Sequence, residues 1–250
     1  MTIEPDIRVD SDIPPTFSVV IPYFNNSESQ LNCAIGSVVE KSNIDCVIEV
    51  ILVNDGGSKL DFSSWMTGLP FGGGQVRFTL IEHSTNKGLA EARNSGIRAA
   101  KGAWIIFLDA DDWFLKDGMV QIAKFVQREP NADIIYLPSV FSTGLEEDWV
   151  SIASESKIMR AATQRVPISA SEHLLAETLS SWSLAYRSSF IKRIGIEFDP
   201  RLKRWEDRPF YLKALLSANS IAIMPDPVRA YFVGPLLADM WVFWMQMIFT

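Results

Sequence analysis

The stretch Gly102-Ala-Trp-Ile-Ile-Phe-Leu-Asp-Ala-Asp-Asp-Trp113 holds the fold of this chain in miniature. Ala103 to Leu108 is a short apolar run of the kind that forms a strand buried on both faces. It then breaks abruptly into three carboxylates, Asp109, Asp111 and Asp112. The same grammar recurs upstream. Phe17-Ser-Val-Val-Ile21 is a β-branched run that stops at Pro22 and opens onto Tyr23, Asn25 and Asn26, and Val47 to Val53 ends in Asn54-Asp55-Gly56-Gly57. Val76 to Glu82 and Ala132 to Tyr136 complete the expected strands.

Helical periodicity falls between them, at Ser29 to Lys41 with Leu31, Ile35, Val38 and Val39 on one face, and at Leu89 to Ala100. Ser58 to Leu69 is weakly helical, and Phe71-Gly-Gly-Gly-Gln75 is a glycine-rich loop. Further helices are expected near Ser171 to Leu179, Ser188 to Ile194 and Arg208 to Ser217, whereas 142–166 has no clear period. Strands alternating with helices of about a dozen residues imply right-handed βαβ crossovers and a parallel sheet covered on both faces. The fold class is therefore α/β, with a Rossmann-like, mostly parallel central sheet and a smaller second part. The expected organisation is an acidic leader (1–16), an α/β half (17–130), a second half (131–232) and an apolar tail (233–250).

Composition narrows the function. Of 250 residues, 48% are hydrophobic and 21% charged, which excludes a disordered chain. With 23 basic against 30 acidic side chains the net charge is −7, which argues against a nucleic-acid binder with a basic surface. Cys33 and Cys46 are too few for a disulfide framework and read as buried thiols. The leader carries Glu4, Asp6, Asp10 and Asp12 and no apolar core, so a signal peptide is not expected and the cytoplasm is the expected location. The apolar run 236–250 contains Asp239 and is short of the roughly 20 residues that span a bilayer. It is read as a packed helix, a peripheral contact with the inner face of the membrane, or the truncated end of a longer chain.

In open parallel sheets, ligands bind outside the carboxyl ends of the strands, and here those ends are unusually polar. Neither GxGxxG nor GxxxxGK[ST] is present, so no glycine-rich cradle is available for phosphate. A divalent cation held by aspartates is the expected substitute. Asp109 and Asp111 are two residues apart and would point the same way if the strand continued through them, while Asp112 suits the cap of a helix starting near Trp113.

In Asn86-Lys-Gly-Leu-Ala-Glu-Ala-Arg-Asn-Ser-Gly-Ile97, a loop runs into a helix carrying Arg93 and Asn94 mid-length, where in isolation both read as solvated. Glu206 and Asp207 follow Trp205; Asp207 suits either an N-cap or a general base aimed into a cleft. Seven basic residues between Arg187 and Arg208 suit a diphosphate or an anionic acceptor, with solvation the expectation for most of them. His83 and His173 are isolated and read as structural.

Together these segments resemble glycosyltransferase family 2, whose fold is GT-A. The resemblance rests on Phe17 to Asn26, Val53-Asn-Asp-Gly-Gly-Ser58, Asn86 to Gly96, Gly102 to Trp113 and Trp205-Glu-Asp207, in the family's order. It implies a metal-dependent inverting transferase moving a sugar from a nucleotide-sugar donor, preferably a UDP-sugar, to a saccharide or lipid-linked acceptor in surface polysaccharide assembly.

By resemblance, Pro22, Tyr23 and Asn25 border the donor base and Asp55 accepts a uracil N–H. Lys87, Gly88 and Arg93 serve the donor, with Arg93 reaching the base or its phosphates, and Asp109 and Ala110 meet the ribose. Asp111 ligates Mg²⁺ or Mn²⁺, and Asp207, or failing it Glu206, is the base. Two departures stand out: Gly57 precedes the serine that usually comes directly, and Tyr231-Phe-Val-Gly-Pro235 leaves the family's usual ending. A non-catalytic nucleotide-sugar-binding subunit with an altered C-terminus, and a sugar-phosphate nucleotidyltransferase, are the alternatives.

Overall fold

The computed structural model describes residues 2–3, 14–39, 46–59, 75–142, 149–150 and 180–232. Strands β1 (Thr2–Ile3), β2 (Phe17–Tyr23), β3 (Val47–Asn54), β4 (Gln75–Glu82) and β5 (Trp104–Phe107) alternate with helices α1 (Glu28–Val39) and α2 (Leu89–Ala99). β6 (Trp113–Phe114), α3 (Gly118–Arg128), β7 (Ile134–Tyr136), β8 (Ser139–Ser142) and β9 (Trp149–Val150) follow. The remaining elements are a 3₁₀ turn at Ser181–Ser183, β10 (Leu184–Arg187), α4 (Ser188–Ile194), α5 (Asp207–Ser217), β11 (Ile221–Ile223) and β12 (Arg229–Phe232).

Eight strands form one sheet in the order β1-β4-β3-β2-β5-β10-β7-β11. β2 runs parallel to both β3 and β5, and β3 to β4, as the βαβ reading requires. β10, supplied by the second half, lies antiparallel between β5 and β7. Residues 17–130 and 131–232 thus share a single sheet. A smaller sheet, β6-β12-β8-β9, closes over its carboxyl edge.

Alternation along the strands divides the core in two. Val19 and Ile21 face a layer with Leu31, Ile35 and Val38 of α1 and Ile122 of α3, while Val20 and Phe107 face α2, α4 and α5. Gly96 makes the second layer fit, since a Cβ there would lie 2.2 Å from Val20 Cγ1. At the amino end of the sheet, buried Glu49 accepts from the Ser18 hydroxyl (2.6 Å) and the Lys101 amide (2.9 Å), so its carboxylate is satisfied structurally.

The sequence-predicted elements appear within about two residues of their expected bounds, with one correction. No helix starts at Trp113. That residue begins β6, the helix starts at Gly118, and Asp112 is not a cap but a fully buried partner of Arg229. The expected helix 58–69 beyond residue 59, the expected helix 171–179, most of 142–166 and of the acidic leader, His173 and the tail from 233 lie outside the described residues. Cys33 and Cys46 are only half-buried, and they form no disulfide. Among the described residues no helix is long and apolar enough to cross a membrane.

Candidate active site

The polar strand ends gather along the carboxyl edge of the sheet as expected. After β2 the chain turns through Asn25, whose φ of 54° is tolerated by asparagine, and its Oδ1 accepts the Ser58 amide at 3.1 Å. Pro22 and Tyr23 are buried at the end of β2, where Tyr23 pairs in register with Asn54, and burial pushes the Tyr23 phenol up. After β3, Gly56 sits at φ 78° against the Thr85–Asn86 backbone, leaving no space for a side chain.

Asp55 is buried, and its carboxylate accepts the Lys87 amide (2.9 Å), the Gly88 amide (2.8 Å) and a ring nitrogen of His83 (2.7 Å). His83 is therefore not isolated. It also meets the Ser95 hydroxyl at 2.9 Å and lines an open cavity of about 260 Å³ with Asn54, Gly57, Lys59, Glu82 and Ser84. The sequence carried a signal for it: His83 directly follows β4, at the same carboxyl edge that singled out the other site residues.

The second cluster centres on Arg93. Far from being solvated, it is buried in α2, with Nη2 2.8 Å from Asp109 Oδ1 and Nη1 3.0 Å from Glu206 Oε1. Burial alone would lower its pKa, but Asp109, Glu206 and Asp207 together raise it and keep it charged. Asn94 is buried too, exchanging two 2.8 Å hydrogen bonds with the Phe198 backbone. Asp207 is the first residue of α5, not its cap, and its Oδ2 accepts the Ser181 amide at 3.2 Å. Burial raises the Asp207 carboxyl, Arg93 opposes this, and the Glu206 charge adds to it; the net direction is upward. Just before them, Trp205 is exposed at φ 61° with the Arg208 guanidinium 4.0 Å from its ring centre.

Asp109 and Asp111 do not continue the strand. The Asp112 amide donates to the Asp109 carbonyl at 3.0 Å, closing a turn in place of extended strand geometry. Asp109 goes to Arg93, Ala110 is buried, and Asp111 is left half-exposed, its carboxyl raised by burial and by the neighbouring Asp109 charge. Such a carboxylate gains from a cation. Among the described residues no three His, Cys, Asp or Glu side chains converge on a metal position. Mg²⁺ is commonly held by one or two carboxylates with phosphate and water as the other ligands, and half-exposed Asp111 is a carboxylate of that kind.

Of the seven basic residues between 187 and 208, Arg208 lies over the Trp205 ring and three more meet carbonyls or carboxylates. Arg187 donates to the carbonyls of Ala132 and Pro130, and Arg193 and Arg201 pair with Asp133 and Asp199.

Residues 18–194 match the family model for glycosyl transferase family 2. The chain belongs to that family. Family relatives include an uncharacterized glycosyltransferase EpsJ of Bacillus subtilis, 26% identical over 221 residues that make up 88% of this chain and 62% of that one. Another is the Staphylococcus aureus poly(ribitol-phosphate) beta-N-acetylglucosaminyltransferase TarS, 25% identical over 86% of this chain and 35% of that one. A crystal structure of S. aureus TarS 1–349 in complex with UDP superposes with a TM-score of 0.66 at 23% identity, covering 88% of this chain and 61% of that one. The family 2 chain described here thus has the GT-A fold, and it spans about three fifths of the length of several curated relatives it matches.

Proposed function

We propose that this chain is the catalytic part of a metal-dependent, inverting glycosyltransferase that takes a UDP-sugar as donor and a saccharide or lipid-linked hydroxyl as acceptor in polysaccharide assembly. One observation carries the reading: a single buried guanidinium, Arg93, joins Asp109 of the first half to Glu206 of the second, and so brings the acidic loop near Asp207. The UDP complex of TarS, a beta-N-acetylglucosaminyltransferase, supports the choice of donor.

In this reading, residues 17–130 hold the nucleotide and 131–232 the acceptor. The base rests against Pro22, Tyr23 and Asn25, and Asp55 accepts its N–H. Lys87 and Gly88 border it, and Asp109 and Ala110 meet the ribose. Arg93 acts as an organiser of the carboxylates rather than reaching the phosphates itself. Asp111 would hold the cation, which when bound would supply positive charge to offset that of a departing diphosphate.

Asp207 accepts the proton of the acceptor hydroxyl at its carboxylate as that oxygen attacks the anomeric carbon from the face opposite the leaving group. No side chain is needed as a nucleophile. Its raised pKa brings it closer to neutral pH, where a general base is most effective.

Calorimetric titration with UDP, with and without Mn²⁺, tests the donor site. Binding should tighten with Mn²⁺ in the native chain and lose that dependence in Asp111→Asn. Asp207→Asn should bind UDP normally and transfer no sugar in a donor and acceptor screen read by mass spectrometry. Metal-independent UDP binding, or transfer by Asp207→Asn at the native rate, overturns the corresponding assignment.

A further inference from the structure

His83 is a buried polar side chain at the carboxyl edge of the sheet to which the transfer mechanism above gives no role. Its ring lies between Ser95 of α2 and Asp55 of the β3 loop, at 2.9 and 2.7 Å. The Ser95 oxygen also receives an N–H from Arg98 Nη2 at 3.1 Å. The Asp55 carboxylate can only accept, so Nδ1 carries the hydrogen it shares with Asp55, and Nε2 of a neutral ring is left to accept the Ser95 hydroxyl. A neutral ring that accepts at Nε2 carries its proton on Nδ1 and donates it to Asp55; this tautomer is assigned from the network.

Asp55 then faces three donors, His83 Nδ1–H and the Lys87 amide on Oδ1 and the Gly88 amide on Oδ2. An ionised carboxylate has about four acceptor positions. The one left, on Oδ2, can only receive a hydrogen bond.

We infer that His83, held by Ser95, is a positioning residue that keeps Asp55 acceptor-only and thereby makes the donor site select a nucleobase with an imino N–H. The inference rests on the reading of Asp55 as the base-binding carboxylate. Uracil offers such an N–H at N3; cytosine offers a lone pair there, which would be set against a carboxylate held rigidly by three donors. Discrimination then comes from the repulsive arrangement as well as the attractive one. Without the His83 N–H, Oδ1 loses one of its two donors, and the carboxylate can rotate away from the orientation that excludes cytosine.

The test is calorimetric titration of UDP and CDP, in the presence of Mn²⁺, into the native chain, His83→Phe, His83→Asn and Ser95→Ala, with a thermal melt of each. His83→Phe should weaken UDP about tenfold, as loss of a hydrogen bond to a charged group does, and bring the UDP-to-CDP preference towards one. His83→Asn, whose side-chain N–H can replace Nδ1–H, should recover most of that preference, and Ser95→Ala should fall between. A merely structural histidine would change melting temperature but leave the UDP-to-CDP ratio unchanged in every variant that folds, and that result overturns the inference. Should His83→Phe not fold, the ratio in Ser95→Ala and His83→Asn decides alone. Equal binding of UDP and CDP by the native chain also overturns it while leaving a nucleotide site intact. Binding of neither would instead sink the donor-site reading.

Discussion

Arg229 Nη2 and Asp112 Oδ2 are 2.7 Å apart with both side chains fully buried. The Phe232 amide adds a bond to Asp112 Oδ1 at 3.0 Å, and Arg229 Nη1 reaches the carbonyls of Phe107 and Trp182. The guanidinium also lies 4.5 Å from the centre of the Trp182 ring, which stacks in turn on Tyr231. This knot ties β12 beneath the turn that presents Asp111.

Removing one partner of the knot should cost about 3–5 kcal/mol, because the survivor stays buried and uncompensated. Urea denaturation of Asp112→Ala and of Arg229→Met should both show this loss, and the double variant Asp112→Leu/Arg229→Met should be more stable than either. Additive losses in the double variant would show that the pair is not coupled.

Gly96→Ala tests the contact between α2 and β2. The added methyl would lie 2.2 Å from Val20 Cγ1, so a destabilisation of about 1–3 kcal/mol is expected. Combining it with Val20→Ala should recover part of the loss, since the clash disappears with the valine methyls.

The pH dependence of transfer should report Asp207. A base works deprotonated, and burial holds this carboxyl above the ordinary aspartate range. The rate should therefore rise with pH through that raised value and level off above it. Glu206→Gln removes a neighbouring negative charge, which should move the acid limb to lower pH. A limb that stays in place would detach it from Asp207.

Asp111 carries a carboxyl raised by burial and by Asp109. A raised folded-state pKa means that stability present below the unfolded value is lost as pH climbs through the folded one. Without metal at neutral pH, Asp111→Asn should therefore melt about 1–3 °C higher than the native chain. With UDP already present, addition of Mn²⁺ should stabilise the native chain further and leave the variant little changed.

Much of the fold was legible because burial on two faces leaves its mark on adjacent residues. Phe17 to Ile21 and Val47 to Val53 are apolar but for Ser18 and Glu49, which pair with each other, and both proved fully buried central strands. Trp113 misled because Asp112 before an aromatic looks like a helix start, whereas pairing with β12 makes Trp113–Phe114 a strand. His83 was passed over because, taken alone, its neighbours Glu82 and Ser84 say nothing of Asp55.

By itself, the sequence determined the alternation of strands and helices and the polar ends where chemistry gathers, since backbone preference and burial period act over a few residues. Only the tertiary structure decided which charges meet. Arg93 finds Glu206 across 113 residues and Asp112 finds Arg229 across 117. Those pairings follow from β10 entering the sheet antiparallel beside β5 and from β12 reaching β6. Strand order and register depend on the packing of the whole chain, and no local run of residues encodes them.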